Sequence, residues 1–280
     1  MATETDVRRL TTAYRTAQVR RAAVIATLVA AYYRSKVNPE DPAAVERWLD
    51  LMVPKVLGRH DEVSRMAAKY ATTLRALEVP DAPRIDFTPS DGAVAEQIRT
   101  SLAVVGPSDY MNKMRQVEKL NVSETQARAL MKDAKETTAR KIAASTVRHV
   151  QNGGRQTLID AAQSDHLALG YVRVTKDKPC YFCAMLASRG LIFAEDSFDA
   201  SDPRFIGPGS AKVHDSCQCS MKPVYVKETD PFFKETEKFT SMWTDWGAGG
   251  GGPMAVTRFR RGYERWLKDG TILTWDEVNA

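Results

Sequence analysis

A chain of 280 residues with 43% hydrophobic content is long enough to bury a sizeable core, as one large or two small domains. Its formal charge of +5 and pI near 9.0 permit contact with nucleic acid or an acidic protein surface and require neither. The most apolar run, 22–33, is bounded by Arg20-Arg21 and Arg34. It falls short of the roughly 20 apolar residues of a membrane span. It also starts too late, and lacks the small-residue cleavage site, to read as a signal peptide. The expectation is a buried helix face, with no membrane partner.

Residues 5–35 are rich in Ala, Arg, Leu and Val and contain no Gly or Pro, which predicts one long helix. Pro39-Glu40-Asp41-Pro42 ends it, and Asp41 ahead of Pro42 starts a helix running to about 57. A separate helix is expected over 61–77, with Val63, Met66, Ala67, Tyr70, Leu74 and Leu77 on one face. His60, between the two, reads as an exposed residue at a helix boundary. Three prolines within 80–89 predict a crossing loop, followed by shorter helices over 91–104 and 107–117.

Ser123-Glu124-Thr125-Gln126 has the form of a capping box and opens a helix of about thirty residues. Asn152-Gly153-Gly154 reads as its C-terminal stop, with another helix near 155–162. His149 and His166 are read as surface or interface residues. The alternating, β-rich stretch 169–175 is the first convincing strand, and 219–227 has similar character. The chain is therefore helical first and mixed later, a mainly α protein with a small α+β region and no internal repeat.

All four cysteines fall within 180–219, as Cys180-Tyr181-Phe182-Cys183 and His214-Asp215-Ser216-Cys217-Gln218-Cys219. A Cys-x-x-Cys turn aims two sulfurs at one ion, and Zn²⁺ takes four such ligands tetrahedrally, often as a pair from each of two loops. Cys217 and Cys219, two apart, share a face of an extended segment, and His214 can replace either. The candidate ligands are therefore Cys180, Cys183, His214, Cys217 and Cys219, for a structural zinc. Disulfides, a redox Cys-x-x-Cys, and a Cys/His protease site built on Cys180 or Cys183 with His214 and Asp215 are the competing readings.

The ordered set Asn152-Gly153-Gly154-Arg155, then Asp177 through Gly190 around the first pair, then His214 through Cys219 and Pro223-Val224-Tyr225, resembles the MuF-like minor head proteins of tailed phages. The resemblance covers about 123–225, with Asp215 standing where the wider pattern commonly has Pro. It implies a virion protein in few copies, assembled in the host cytoplasm and oligomeric in the particle. Its partners would be the portal protein or the major capsid protein, with packaged DNA as a further contact, and its role would lie in head assembly or genome packaging and delivery. Relatives of this kind are also called capsid maturation proteases, although the chain holds no Gly-x-Ser-x-Gly or His-Glu-x-x-His. The third reading is an internal virion protein that binds DNA.

The tail has its own pattern. Gly-rich 247–252 predicts a flexible hinge, because glycine loses the most backbone entropy on ordering. Residues 254–268 predict a basic helix with Phe259, Tyr263, Trp266 and Leu267 near one face. Arg258, Phe259, Arg261, Tyr263 and Trp266 are expected to dock a partner protein or clamp DNA phosphates, the competing arrangement being a helix folded back on its own chain. Leu273-Thr274-Trp275 is a candidate terminal strand. The organisation expected is a helical assembly domain (1–120), a MuF-like knuckle domain (121–228) and a tethered C-terminal arm (229–280).

Overall fold

The computed structural model describes residues 3–90, 94–120, 122–192, 213–246 and 252–270. Helix α1 (Glu4–Lys36) opens with a capping box in which Thr3 and Asp6 satisfy each other's backbone donors. Asp41 caps α2 (Pro42–Glu78), with Pro42 at the first position, where its missing N–H costs nothing. The two helices expected over 42–57 and 61–77 are thus one. Their apolar positions stay in phase across Gly58, through Leu49, Met52, Val56, His60, Val63, Ala67, Tyr70 and Leu74, and all are buried. His60, expected at the surface, therefore lies in mid-helix and is only 6% exposed.

The segment after α2 crosses as a loop to α3 (Val94–Ala103) and α4 (Asp109–Val117). Between them, Val104–Ser108 is kinked at Gly106 (φ −95°, ψ −105°), ahead of Pro107. The Ser123/Gln126 capping box forms as expected and opens α5. This helix runs from Glu124 to Ser164 without stopping at the glycines. A Cβ on Gly153 would stand 2.5 Å from Ser64 Oγ and 2.6 Å from the His60 carbonyl, and one on Gly154 would overlap the Tyr14 hydroxyl. The glycines therefore mark a close helix crossing. His149, expected at a surface, is buried on the same stretch at 4% exposure.

Helices α1, α2 and α5 form the body. One core joins Val29, Tyr33, Trp48, Val56, Ile98, Leu102 and Ile142; a second joins Tyr14, Tyr70, Leu74, Leu158, Tyr171, Met221 and Tyr225. Segments 1–120 and 121–228 thus share both cores. Strand β1 (Gly170–Val174) pairs antiparallel with β2 (Ser220–Val224) in the register Gly170↔Val224 to Val174↔Ser220. Both strands are buried throughout. Lys222 at 0% exposure sits between Glu78 (2.8 Å) and Asp230 (2.5 Å), so the buried charge is paired on both sides.

The remaining elements form a third core. Helices α6 (Tyr181–Ala187), α7 (Pro231–Trp246) and α8 (Gly252–Asp269) bury Phe182, Met185, Phe239, Met242, Trp246, Phe259 and Tyr263 together. Phe259 and Tyr263, expected to face a partner, are instead fully buried within the chain. The cause is that Trp243, Trp246 and Phe239 of α7 offer the aromatic face of α8 a complementary surface. Trp266 is half-buried beneath the Lys238 ammonium, while Arg261 points to solvent. Of the expected hinge at 247–252, Gly252 instead opens α8, while 247–251 and the candidate strand at 273–275 lie outside the described residues. No described helix is long and apolar enough to cross a membrane.

Candidate metal centre

The β1–β2 register builds the site. Val174 pairs with Ser220, so the chain leaving β1 toward Cys180 and the chain entering β2 from Cys219 meet at one end of the ribbon. Cys180 is the N-cap of α6, its sulfur accepting from the Cys183 N–H at 3.4 Å, and one helical turn carries Cys183 to the same side. The 214–219 loop is fastened to α5 from below. Arg148 Nε donates to Asp215 Oδ1 at 2.7 Å, Arg155 donates to the Cys217 and Cys219 carbonyls at 2.7 and 2.9 Å, and Ser216 N–H donates to the Ala144 carbonyl at 3.1 Å. Ser216 takes a left-handed conformation (φ 64°) to make that turn.

All five residues named from the sequence converge. Cys180, Cys183 and His214 form one triad and Cys183, Cys217 and Cys219 a second; within each, the ligand atoms lie within 4.8 Å of one another. The triads share Cys183. His214 Nε2 is 3.0 Å from Cys180 Sγ and 3.9 Å from Cys183 Sγ, and Cys183 Sγ is 3.5 Å from Cys217 Sγ. Cys217 and Cys219 sulfurs stand 2.8 Å apart, and none of the four cysteines is disulfide-bonded. Cys183, Cys217 and Cys219 are buried, whereas Cys180 and His214 are half-buried at the mouth of a cavity of about 270 Å³ lined also by Thr175, Lys176 and Gln218.

The donor chemistry suits a thiophilic ion. His214 Nδ1 lies 2.7 Å from the Asp215 carbonyl, which can only accept, so Nδ1 carries a proton; Nε2 faces the sulfurs, and its hydrogen bond to Cys180 raises the imidazole pKa, so that a bound metal would take the place of the Nε2 proton. Hydrogen bonding from Cys183, working against burial and aided by His214, holds the Cys180 thiol down at about 4. Hydrogen bonds from Cys183 and Cys217, with the charges of Arg173 and Arg155, hold Cys219 well below the ordinary thiol range. Cys183, which donates to its neighbours, is pushed well above it. Within the cluster Cys180 and Cys219 are pulled toward the thiolate and Cys183 and Cys217 toward the thiol, a mismatch that a divalent cation would relieve on binding.

Sequence reading missed the residues that hold the loop. Arg148 and Arg155 lie seven apart on one face of α5, and Arg173 in β1 places Nη1 2.6 Å from Cys219 Sγ. All three guanidinium groups are buried, at 5%, 3% and 2% residue exposure. The seven-residue spacing was the available signal, and the glycine pair between the two arginines obscured it by reading as a helix end. Asp215 is paired with Arg148 at 2.7 Å.

Fold and site together define a mainly helical protein in which a long helix and a two-stranded ribbon present a Cys/His cluster suited to a metal. The chain belongs to the VG15 protein family, which matches residues 1–246, ending just before α8. It is also similar to the "Gene 15 protein" of Mycobacterium phage D29, 24% identical over 225 residues that cover 72% of this chain and 74% of the relative. The two matches mark a protein of phage type. No solved structure matches the chain.

Proposed function

We propose that this chain is a minor head protein of a phage particle. It binds the portal vertex or the inner face of the capsid and aids head assembly or genome packaging and delivery, and a structural zinc at the Cys/His cluster locks its second half. The observation that carries the reading is the VG15 family match across 1–246. The MuF-like spacing of the cysteine pairs and the similarity to a mycobacteriophage protein support it. Zinc would tie the α6 turn to the 214–219 loop where the cysteine cluster buries few apolar residues besides Val213. The outer face of α8, with Arg261, Arg265 and Lys268 exposed, is the surface assigned to a protein partner or to packaged DNA.

The test is to recover particles of the encoding phage and look for the protein by mass spectrometry, beside pull-down of the co-expressed portal and major capsid proteins. Incorporation at low copy with capture of either partner supports the reading. Filled heads that lack the protein, with no capture, overturn it.

One observation favours a second reading, a capsid maturation protease. Cys180 stands at a helix N-terminus, 3.0 Å from a histidine whose tautomer is set, at a cavity mouth. A protease would cleave capsid or scaffold protein and lose that activity in Cys180→Ser with its fold retained. A structural centre would instead lose zinc and local order.

A further inference from the structure

The solvent face of α2 is basic over four turns, where Lys55, Arg59, Arg65 and Lys69 are all exposed. At 1.5 Å per residue they span about 21 Å. Helix α1 runs beside this face, tied to it by the Arg21–Glu62 ion pair at 2.6 Å, and adds Arg20 and Arg21. Six bases against two acids, Asp61 and Glu62, leave the ridge at +4, close to the +5 of the whole chain. We propose that this ridge holds the phosphate backbone of duplex DNA without reading its base sequence. The inference deepens the packaged-DNA contact of the proposed function, moves it to the α1–α2 ridge, and leaves the outer face of α8 to a protein partner.

Both acids are already engaged. Glu62 accepts from Arg21 Nε on one oxygen and from Arg59 Nη1 on the other, and Asp61 Oδ1 lies 3.1 Å from His60 Nδ1. Glu62 therefore fixes two guanidinium groups while leaving Arg21 Nη2 and Arg59 Nε and Nη2 without a partner among the described residues. Arg20, Arg21, Arg59 and Glu62 line a cavity of about 310 Å³, with Val24 as its apolar wall. Three guanidinium groups and one carboxylate give that cavity an excess of positive charge and forked donors, the combination that suits phosphate oxygens. The side chains of Arg20, Lys55, Arg65 and Lys69 make no hydrogen bond or ion pair among the described residues, so binding breaks no contact of theirs.

The shape of the patch selects the polyanion. Duplex DNA carries one charge per about 1.7 Å of its axis, so a row of bases about 21 Å long meets phosphates wherever it lands. A protein partner is held by aromatic or apolar anchors at the centre of an interface, yet Trp48 and Tyr70 of α2 are buried inside the fold. An anionic membrane would need a broad apolar face beside the charge. The exposed large apolar side chains of α1 and α2 are Val24, Leu28 and Leu51 alone among the described residues, too few to make such a face.

The test is fluorescence anisotropy of the full chain with a labelled random-sequence duplex, between about 50 and 200 mM salt. Engagement of all six bases predicts that log K falls against log[salt] with a slope of about −5, at about 0.9 per phosphate contact. The variant Arg20→Gln/Lys55→Gln/Arg65→Gln/Lys69→Gln keeps the Glu62 ion pairs and should fold as the wild type does. It should flatten the slope by about 3–4, whereas Arg261→Gln/Arg265→Gln/Lys268→Gln on α8 should leave it unchanged. A second readout needs no variant: DNA should protect Lys55 and Lys69 of the wild type from acetylation and leave Lys268 reactive. No binding at the lowest salt, an unchanged slope in the α1–α2 variant, or protection of Lys268 in place of Lys55 and Lys69 overturns the inference. Tighter binding to polyglutamate or to phosphatidylserine vesicles than to the duplex overturns it too. None of these failures bears on incorporation into particles or capture of the portal, which test the head-protein reading separately.

Discussion

His149 lies at 4% exposure on α5, its Nε2 without a hydrogen-bond partner among the described residues. Burial, reinforced by the charges of Arg148 and His60, lowers its pKa from 6.5 to about 3. The folded chain therefore holds this imidazole neutral, while the unfolded chain takes up a proton below pH 6.5. Stability from this group is complete above pH 6.5 and is lost as pH falls toward 3, by about 1.4 kcal/mol per unit once well below 6.5. Urea unfolding at pH 7.5 and 5.0 should show the wild type losing about 2 kcal/mol more than His149→Met, which has nothing to titrate. Equal losses would mean that the imidazole is solvated in the fold. Such burial is hard to read along a chain, because a lone histidine in a helix looks the same at a surface and at a helix crossing.

At the scale of elements, α2 and α5 show which helix signals can be trusted. Caps made within four residues were legible: Ser123 with Gln126, and Asp41 ahead of Pro42, form as their spacing predicts. Glycine was misread, since its meaning depends on what crosses the helix. Gly153 and Gly58 make opposite predictions from the same residue type. Alanine is favoured over glycine in a helix by about 1 kcal/mol, and at Gly58 a Cβ meets nothing within 4 Å. Gly58→Ala should therefore raise the melting temperature. At Gly153 the same methyl would press on Ser64 Oγ and the His60 carbonyl at 2.5 and 2.6 Å, so Gly153→Ala should cost about 1–3 kcal/mol despite the better propensity. Thermal melts of the two variants with the same sign would refute the crossing.

Across the whole molecule, α8 is held by its own chain. Tyr263 donates to the Pro179 carbonyl at 3.0 Å, immediately before Cys180, while Phe259 stacks on Tyr263 and packs against Trp246. The helix outside the family match thus braces the turn that begins the metal site. Phe259→Ala should cost about 3–5 kcal/mol of that docking. Hydrogen exchange over 252–269 should accelerate and Trp246 emission should shift red. Unchanged protection would show that the third core does not depend on this ring.

The sequence alone determined what is local. Helix starts written in caps, a β-rich stretch, and five metal-type donors spaced as two short loops all depend on neighbours a few residues away, and each was readable. The tertiary structure decided what depends on distant partners. It continued α2 through His60 and α5 through Gly153, because the second surface at each position is another helix. It folded α8 inward, because Trp243 and Trp246 lie ready to cover Phe259 and Tyr263. It also brought Arg148, Arg155 and Arg173 to the 214–219 loop, since a buried loop must find donors for its carbonyls and a counter-charge for its sulfur wherever the packed helices supply them.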